Sequence, residues 1–411
     1  MTKSLIQVLQ VCKKIPWPLK DGEAIAITHL SQSLVNQGIH MDLISMNTFK
    51  HFVNPAGIEK ELPHYDKIAI VPVDNRLRVS GMILNLFEKS SYHISRFQTP
   101  EFEKGLEEML RVKNYDIIQL ESLVLAAYIP IIRKYSGAKI VLRSHNVEYL
   151  IWERLGQTES NPVKKLYLKL AATKLKKFEL KTLKEIDMLV PISDDDNRFF
   201  RSMGYKGPVH TCPIIPSGNS NSTRMTSHPE HPEPYFTFIG TLDWLPNQEG
   251  LKWFLKNVWP KVLEQYPSAR LDIAGRNAPD WLHELKIRGV TFVGEVDNAA
   301  DFLSRTLFTI VPLLSGSGMR AKIIESLSLG NLVFSTRMGV EGIPISDGTH
   351  FMSFHDGESF MKAVYKCHSD LGFAKNIAMN GFNWVHTYYN PESISRDLMG
   401  AYEDLLIEKT V

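Results

Sequence analysis

A glycine-rich stretch that leads straight into a helical pattern carries residue types suited to binding a phosphate. Residues 315–330 read SGSGMRAKIIESLSLG and place Arg320, Lys322 and Glu325 just after two glycines. Glycines let backbone N–H groups approach a ligand closely, and the first turn of a helix offers unpaired N–H donors and a partial positive charge. Lys322 and Glu325 are three residues apart and share a helix face. The stretch therefore predicts cations for a phosphate beside an acceptor for hydroxyl groups.

A solvated helix face is the alternative interpretation of Arg320 and Lys322, because charged side chains are most often at the surface. Phosphate binding is favoured since the apolar run FTIVPLL precedes the glycines and Glu325 follows the cations.

Polar residues at the ends of two other apolar runs form a second candidate group. Glu121 lies in DIIQLES, and Arg143, His145 and Asn146 end the run AKIVLRSHN. In open parallel sheets, ligands bind beyond the carboxyl ends of the strands, so these residues are candidates for a site. A structural role for His145 and a salt bridge of Arg143 are the alternatives.

The elements around these residues alternate between strands and helices. SLIQVLQVC, a helix near residues 23–37 and MDLISM form a unit that needs a parallel sheet, and a second series holds YFTFIGT, RLDIAGR, VTFVGEV and NLVFST. Residues 209–234 between them are rich in Pro, Ser, Asn and His, as in a linker. We predict an α/β protein with Rossmann-like domains at 1–208 and 235–384 facing a cleft, and terminal helices at 385–411 packing near or on the first domain.

The composition is that of a folded protein without a strong overall charge. Hydrophobic residues make up 44% of the 411 residues and the formal net charge is +2, so no basic field calls for nucleic acid. Three scattered cysteines argue against a disulfide framework or a zinc site and favour a reducing cytoplasm. No apolar run is long enough for a membrane span.

These motifs resemble those of retaining glycosyltransferases with two Rossmann-like domains, the GT-B fold, and specifically family 4 (group 1). The resemblance rests on FIGTLDWLPNQEGLKWFLKNVWP, LDIAGR, VTFVGEV and VPLLSGSGMRAKIIESLSLGNLVFST in the order of that family, and on IPWPLKDGEAIAITHLSQSLVNQGI and RSHNVE in the first half. It implies transfer of a sugar from a nucleotide diphosphate sugar, bound by the C-terminal domain, to a hydroxyl acceptor bound by the N-terminal domain. The implied products are cell-surface polysaccharide or a lipid-linked saccharide.

Carried over by position, the resemblance assigns roles to individual residues. Glu325 resembles the second glutamate of the E-x7-E motif, which holds the donor ribose, whereas Ser317 stands in place of the first. Arg320 and Lys322 are similar in role to the basic pair that is missing after Gly240, and His145 is implied to hydrogen-bond the transferred sugar. Further implied donor residues are Gly316, Gly318, Met319, Gly240, Asn247, Gly275, Gly294, Glu295 and Val296.

The acceptor side is implied to include the first loop and the strand ends. Asp21 and Gly22 occupy the position of paired glycines in the family, with a plain helix cap as the alternative for Asp21. The other implied acceptor-side residues are Arg143, Asn146 and Glu121.

No metal or cofactor is expected. Asp194, Asp195 and Asp196 after Ser193 are interpreted as a helix start rather than a metal site, and family 4 enzymes characteristically work without a bound metal ion. Residues 164–185 form a basic helical pattern that suits an ordinary surface helix, or a helix lying on anionic lipid at the inner face of the membrane.

Two other functions fit the same architecture: a sugar-nucleotide epimerase, and a catalytically silent module that binds a nucleotide sugar. A dehydrogenase is disfavoured because no G-x-G-x-x-G opens the first strand–helix unit.

Overall fold

The computed structural model describes residues 6–19, 21–76, 91–159, 161–215, 227–315 and 321–407. The chain divides into two compact units, one of residues 1–215 with 391–411 and the other of residues 216–390. Each unit is built on its own parallel sheet.

The first unit holds a six-stranded sheet in the order β3-β2-β1-β4-β5-β6. Its strands are apolar along most of their length because helices cover both faces of a parallel sheet. They are β1 Gln7–Cys12, β2 His40–Thr48, β3 Lys67–Val73, β4 Ile117–Leu120, β5 Lys139–Ser144 and β6 Met188–Pro191. The helices are α1 Gly22–Asn36, α2 Ile58–Glu61, α3 Tyr92–Ser95, α4 Pro100–Val112, α5 Ile129–Tyr135, α6 Glu148–Thr158, α7 Pro162–Thr182 and α8 Asp194–Ser202, with 3-10 turns at Phe49–His51 and Leu123–Tyr128.

The second unit repeats the architecture with the order β12-β11-β10-β7-β8-β9. Its strands are β7 Tyr235–Ile239, β8 Arg270–Ala274, β9 Val290–Gly294, β10 Phe308–Val311, β11 Leu332–Ser335 and β12 Met352–Ser353. Its helices are α9 Leu245–Asn257, α10 Trp259–Gln265, α11 Asp280–His283, α12 Ala299–Leu303, α13 Ala321–Ser328, α14 Gly357–Ser369 and α15 Leu371–Tyr388. A core of aromatic side chains, including Phe236, Phe254 and Trp259, fills the space between sheet and helices.

The two sheets confirm the predicted α/β fold with two Rossmann-like domains. The chain then returns to the first unit, where the last helix, α16 Pro391–Ile407, packs against α1. The proposed boundary at residue 384 is wrong, because it falls inside α15, which packs on α13 and β11 of the second unit.

The predicted start of the linker at residue 209 also needs correction. Val209 forms a bridge to Leu189 of β6, and Cys212 N donates to Pro191 O at 2.8 Å. The chain is therefore hydrogen-bonded to the edge of the first sheet as far as Cys212, and residues 209–215 belong to that unit. Among the helices in the described ranges, none combines the length and the apolar character needed to cross a bilayer.

Candidate functional site

Three glycines lie at the carboxyl edge of the second sheet, where β7, β8 and β9 end. Gly240 N donates to Ala274 O at 3.2 Å and Gly275 N donates to Gly294 O at 2.9 Å, so the three strand ends are tied together. Gly275 has φ +156, and a Cβ atom there would lie 1.9 Å from Gly240 O. Only glycine allows the two backbones to approach this closely. Because the glycines carry no side chains, this edge of the sheet has room for a ligand.

Lys322 of α13 and Asn247 of α9 meet beside this edge. Lys322 Nζ donates to Asn247 Oδ1 at 2.5 Å and lies 4.7 Å from the centre of the Phe238 ring. Asn247 is 2% exposed, and its Nδ2 donates to Thr241 O at 2.8 Å, which fixes the orientation of its amide. A Cβ atom on Gly240 would lie 2.9 Å from Asn247 Nδ2 and 3.3 Å from Lys322 Nζ. The structure thus brings together three residues that the sequence assigns to the donor.

Glu325 lies one helical turn after Lys322 on α13 and is partly buried. Burial raises the pKa of its carboxyl to about 7. Within the described residues its carboxylate accepts no hydrogen bond and forms no ion pair. A carboxylate with unused lone pairs can accept bonds from two neighbouring hydroxyl groups, as the assignment to a ribose requires.

Several predicted donor residues fall outside the described residues: Gly316, Ser317, Gly318, Met319 and Arg320. The described residue before them, Ser315, is buried and its Oγ donates to Glu249 Oε2 at 2.6 Å. Glu249 lies two residues after Asn247 on α9, so this helix holds both the start of the glycine-rich stretch and Lys322. Sequence analysis missed Glu249, although its place in the first turns of α9 was a usable signal.

Glu295 and Val296 follow β9. Glu295 is exposed, whereas Val296 packs partly against Ala274, Phe302 and Leu303. Their assignment to the nucleotide base stays a prediction.

In the first unit, Glu121 joins Arg143 and His145 at the ends of β4 and β5. Glu121 Oε2 lies 3.0 Å from His145 Nε2 and 3.4 Å from Arg143 Nη1. Burial raises the pKa of Glu121, but the Arg143 charge and the hydrogen bond from His145 outweigh it and lower the pKa to about 2. An ionised Glu121 accepts a proton-bearing Nε2, so it sets the orientation and tautomer of the His145 ring.

Glu121 and Arg143 are both fully buried, so in this structure they position His145 rather than face solvent. Arg143 Nη1 also donates to Ala26 O at 3.1 Å, while Arg143 Nε and Nη2 have no hydrogen-bond partner in the described part of the chain. His145 itself is only partly buried.

Neutral polar side chains complete the surroundings of Glu121, and sequence analysis missed them. Gln10 Nε2 donates to Glu121 Oε1 at 2.5 Å, and Gln119 Nε2 donates to the same oxygen. The Tyr402 hydroxyl of α16 donates to Gln119 Oε1. The last helix therefore reaches the buried network through one tyrosine.

Asp21 and Asn146 serve local structure in the first unit. Asp21 Oδ1 caps α1 by accepting from Ala24 N at 2.9 Å, and its Oδ2 accepts from Lys14 at 2.6 Å. Gly22 is the first residue of α1, and Asn146 O accepts from Ser144 Oγ at 2.7 Å. The helix-cap interpretation of Asp21 is confirmed, and its role toward an acceptor stays a prediction.

Ser193 confirms the helix start predicted before the three aspartates. Its Oγ accepts from Asp196 N at 3.1 Å, at the first turn of α8. Across the described ranges no cluster of three or more His, Cys, Asp or Glu side chains is arranged to hold a metal ion.

Comparisons with known proteins agree with this architecture. Residues 233–370, about a third of the chain, match the family described as "Glycosyl transferases group 1". A protein of Klebsiella pneumoniae described as "Uncharacterized 44.6 kDa protein in cps region" is 25% identical, over 95% of this chain and 98% of its own.

Solved structures are similar in fold at low identity. Sucrose-phosphate synthase from Thermosynechococcus elongatus matches with a TM-score of 0.72 at 16% identity, over 98% of this chain and 100% of its own. HepE from Anabaena, solved in complex with UDP and glucose, matches with a TM-score of 0.65 at 12% identity, over 97% and 100% of the two chains. The chain therefore has the GT-B fold, and the part of it that matches the group 1 model lies in the second unit.

Proposed function

We propose that this protein is a retaining glycosyltransferase that moves a sugar from a nucleotide diphosphate sugar to a hydroxyl group of a saccharide or lipid-linked acceptor. The observation that carries the proposal is the Lys322–Asn247 pair beside Gly240, with Glu325 one turn further along the same helix. The match of residues 233–370 to group 1 glycosyltransferases supports it. The relative from a cps region supports a role in cell-surface polysaccharide assembly.

Lys322 would act on the donor diphosphate. A cation about 4 Å from one phosphate charge contributes on the order of 4 kcal/mol at an effective dielectric near 20, before desolvation is counted. Negative charge on the phosphate grows as the glycosidic bond breaks, so a fixed cation stabilises the transition state more than the ground state. Asn247 holds Lys322 Nζ in place before the donor arrives. Arg320 is proposed as the second cation.

Glu325 would hold the donor ribose and His145 the transferred sugar. The Glu325 carboxylate has acceptor capacity that no described residue uses, which suits a pair of ribose hydroxyls. His145 bonds Glu121 through Nε2, so the proposed sugar contact involves the rest of the ring and the adjoining loop. We propose that neither donor binding nor sugar transfer needs a metal ion.

The surface of α7 in the first unit, which is proposed to bind the acceptor, suggests that the protein acts at the cytoplasmic face of a membrane. Val163, Leu166 and Leu170 of α7 are 76%, 60% and 44% exposed and recur at helical spacing. Exposed lysines lie among them, including Lys164 and Lys165. An apolar stripe between lysines suits contact with anionic lipid, where a lipid-linked acceptor would be found.

A thermal-shift screen with UDP-, GDP-, ADP- and TDP-glucose tests the proposal, because a ligand that binds only the folded state raises its melting temperature. We expect one of these four nucleotide sugars to raise the melting temperature of the wild-type protein, and we expect Lys322→Met to abolish this increase. The protein is then incubated with the stabilising nucleotide sugar and with saccharide acceptors. Conversion of the donor without acceptor would show the epimerase instead, and tight binding with neither transfer nor donor hydrolysis would show the silent binding module.

A further inference from the structure

A basic cavity lies in the first unit, beyond the carboxyl ends of β1, β2, β3 and β4, and none of its described lining residues belongs to the predicted site. Its volume is about 450 Å³, large enough for a sugar that carries a phosphate. Among its described lining residues are five Lys and Arg side chains and one carboxylate, that of Glu23. Aromatic side chains of Phe49 and Phe97 complete the wall.

Arg96 is the cation of this cavity whose charge is least balanced by the described residues. It follows α3 and is partly buried, with its guanidinium carbon 4.8 Å from the centre of the Phe97 ring. Its Nε is buried without a hydrogen-bond partner, and no described carboxylate forms an ion pair with it. A buried cation without a counter-charge is costly, so an anion in the cavity would be held strongly.

The other cations differ in how far their charge is already balanced. Lys13 Nζ lies 3.3 Å from Glu23, and Lys14 Nζ lies 2.6 Å from Asp21 and 3.4 Å from Glu23. These pairs keep two ammonium groups beside the cavity but leave less charge for a ligand. Among the described residues, the positive charge without a carboxylate partner therefore centres on Arg96.

The mouth of the cavity carries an exposed aromatic face. Phe49 follows β2 and is 66% exposed, and the guanidinium carbon of Arg76 lies 5.0 Å from the centre of its ring. Arg76 is held by Asp74 through Nε at 2.9 Å and Nη2 at 2.7 Å. Aromatic faces bind the apolar face of a sugar ring. Because Arg76 already donates to Asp74 through Nε and Nη2, Arg96 is the better candidate to bind phosphate oxygens.

We propose that this cavity binds a saccharide that carries a phosphate, with the phosphate at Arg96 and the sugar ring against Phe49. The description of this ligand as the acceptor rests on the proposed function, whereas the binding site itself does not. An acceptor of this class is anionic at the position next to its sugar, as in a sugar phosphate or a saccharide joined to a lipid through phosphate.

Isothermal titration calorimetry on the full chain tests the site with glucose 1-phosphate, glucose and inorganic phosphate. We expect glucose 1-phosphate to bind and glucose to bind at least about tenfold more weakly, since a charge-assisted hydrogen bond is lost. Arg96→Gln should weaken glucose 1-phosphate about tenfold or more. Phe49→Ala should weaken glucose 1-phosphate but leave inorganic phosphate unchanged, and its exposed position keeps the fold intact.

Arg111→Gln is the matched control for Arg76→Gln, because Arg76 and Arg111 are both exposed arginines paired with a carboxylate, whereas Arg111 lies outside the cavity. Equal affinity for glucose and glucose 1-phosphate, or unchanged affinity in both Arg96→Gln and Arg76→Gln, would overturn the proposal. Failure of glucose 1-phosphate to bind would also overturn it, and binding to vesicles of phosphatidylcholine with phosphatidylglycerol that Arg96→Gln weakens would then favour a lipid surface. Nucleotide-sugar binding is measured in parallel. If no nucleotide sugar binds but glucose 1-phosphate binds in a way that depends on Arg96, the proposed function is wrong and the proposed cavity site is supported.

Discussion

Lys322 Nζ donates to Asn247 Oδ1 at 2.5 Å, although the two residues are 75 positions apart in the chain. The contact forms because the end of β7 and the helix after β10 lie side by side, with β7 and β10 paired in the sheet. Asn247 is a neutral partner, and its bond fixes the position of the ammonium group. Such a preorganised cation is what stabilisation of a departing diphosphate requires.

Replacing Lys322 with Met should lower kcat/KM for sugar transfer by about a hundredfold, because one fixed donor to the developing charge is removed. Asn247→Ala should lower it by about tenfold, since Lys322 keeps its charge but loses its orientation. The two losses should be less than additive in the double variant, because both act through one ammonium group. Lys362→Met is the control: Lys362 is an exposed lysine of the same unit, paired with Glu358, and its loss should leave kcat/KM unchanged.

Glu325 should make donor binding depend on pH. Its pKa in the free protein is raised by burial to about 7, and the ionised form is the better acceptor for ribose hydroxyls, so donor binding lowers that pKa. Affinity should therefore be highest above about pH 8 and fall as the pH drops through 7. Titration of the nucleotide at several pH values measures this, and Glu325→Gln should bind more weakly at pH 8 and lose the pH dependence. A flat profile in the wild-type protein would contradict the ribose role.

The same group should oppose folding at high pH. The folded-state pKa of Glu325 lies above the ordinary value of 4.5, so the folded state binds the proton more tightly, and this contribution to stability is lost as the pH rises from 4.5 through about 7. Glu325→Gln should consequently raise the melting temperature at pH 8 and leave it nearly unchanged at pH 4.5. Thermal unfolding at the two pH values measures the difference.

Glu121 should stabilise the first unit down to low pH. Its folded-state pKa is lowered to about 2, so its contribution is full above the ordinary value of 4.5 and is lost as the pH falls through about 2. Glu121→Gln should cost about 3–5 kcal/mol at neutral pH, because Arg143 stays buried without its carboxylate. Urea unfolding measures the loss. Glu107→Gln, which breaks an exposed pair with Arg111, should change the free energy of unfolding far less, because solvent screens that pair.

The fold was predictable because its signals are local. The strands β7 to β11 of the second unit are short apolar runs, as in RLDIAGR for β8. Such runs in alternation with helices require a parallel sheet. The start of the linker was harder to predict. Composition identifies the Pro- and Ser-rich residues but does not reveal that Cys212 bonds to Pro191. Hydrogen bonds of this kind depend on which strand lies at the edge of the sheet.

The candidate site was predictable only where one motif holds several residues. Lys322 and Glu325 share a helix, so their common face follows from spacing alone. Gln10 and Tyr402 meet the same buried network from opposite ends of the chain, and Phe49, Arg76 and Arg96 meet at one cavity. Those groupings follow from the strand order β3-β2-β1-β4 and from the return of α16, which no local pattern contains.

A side chain at Gly240 should disturb the Lys322–Asn247 pair. A Cβ atom there would lie 2.9 Å from Asn247 Nδ2 and 3.3 Å from Lys322 Nζ, so Gly240→Ala should displace the ammonium group. We expect donor affinity to fall about tenfold while the melting temperature changes little. Gly400→Ala is the control, because a Cβ atom at Gly400 meets nothing within 4 Å and helical alanine is favourable. Unchanged donor affinity in Gly240→Ala would remove this edge of the sheet from the donor site.

The exposed stripe of α7 should bind anionic membranes. Val163, Leu166 and Leu170 would insert their side chains while neighbouring lysines meet lipid phosphates, so wild-type protein should cosediment with vesicles that contain phosphatidylglycerol and not with pure phosphatidylcholine. Replacing both leucines with Ser should lower the partition coefficient by about tenfold, because buried apolar area is lost. Val112→Ser removes an equally exposed apolar side chain from α4 and should leave binding unchanged. Equal sedimentation of the double variant and the wild type would show that α7 is an ordinary surface helix.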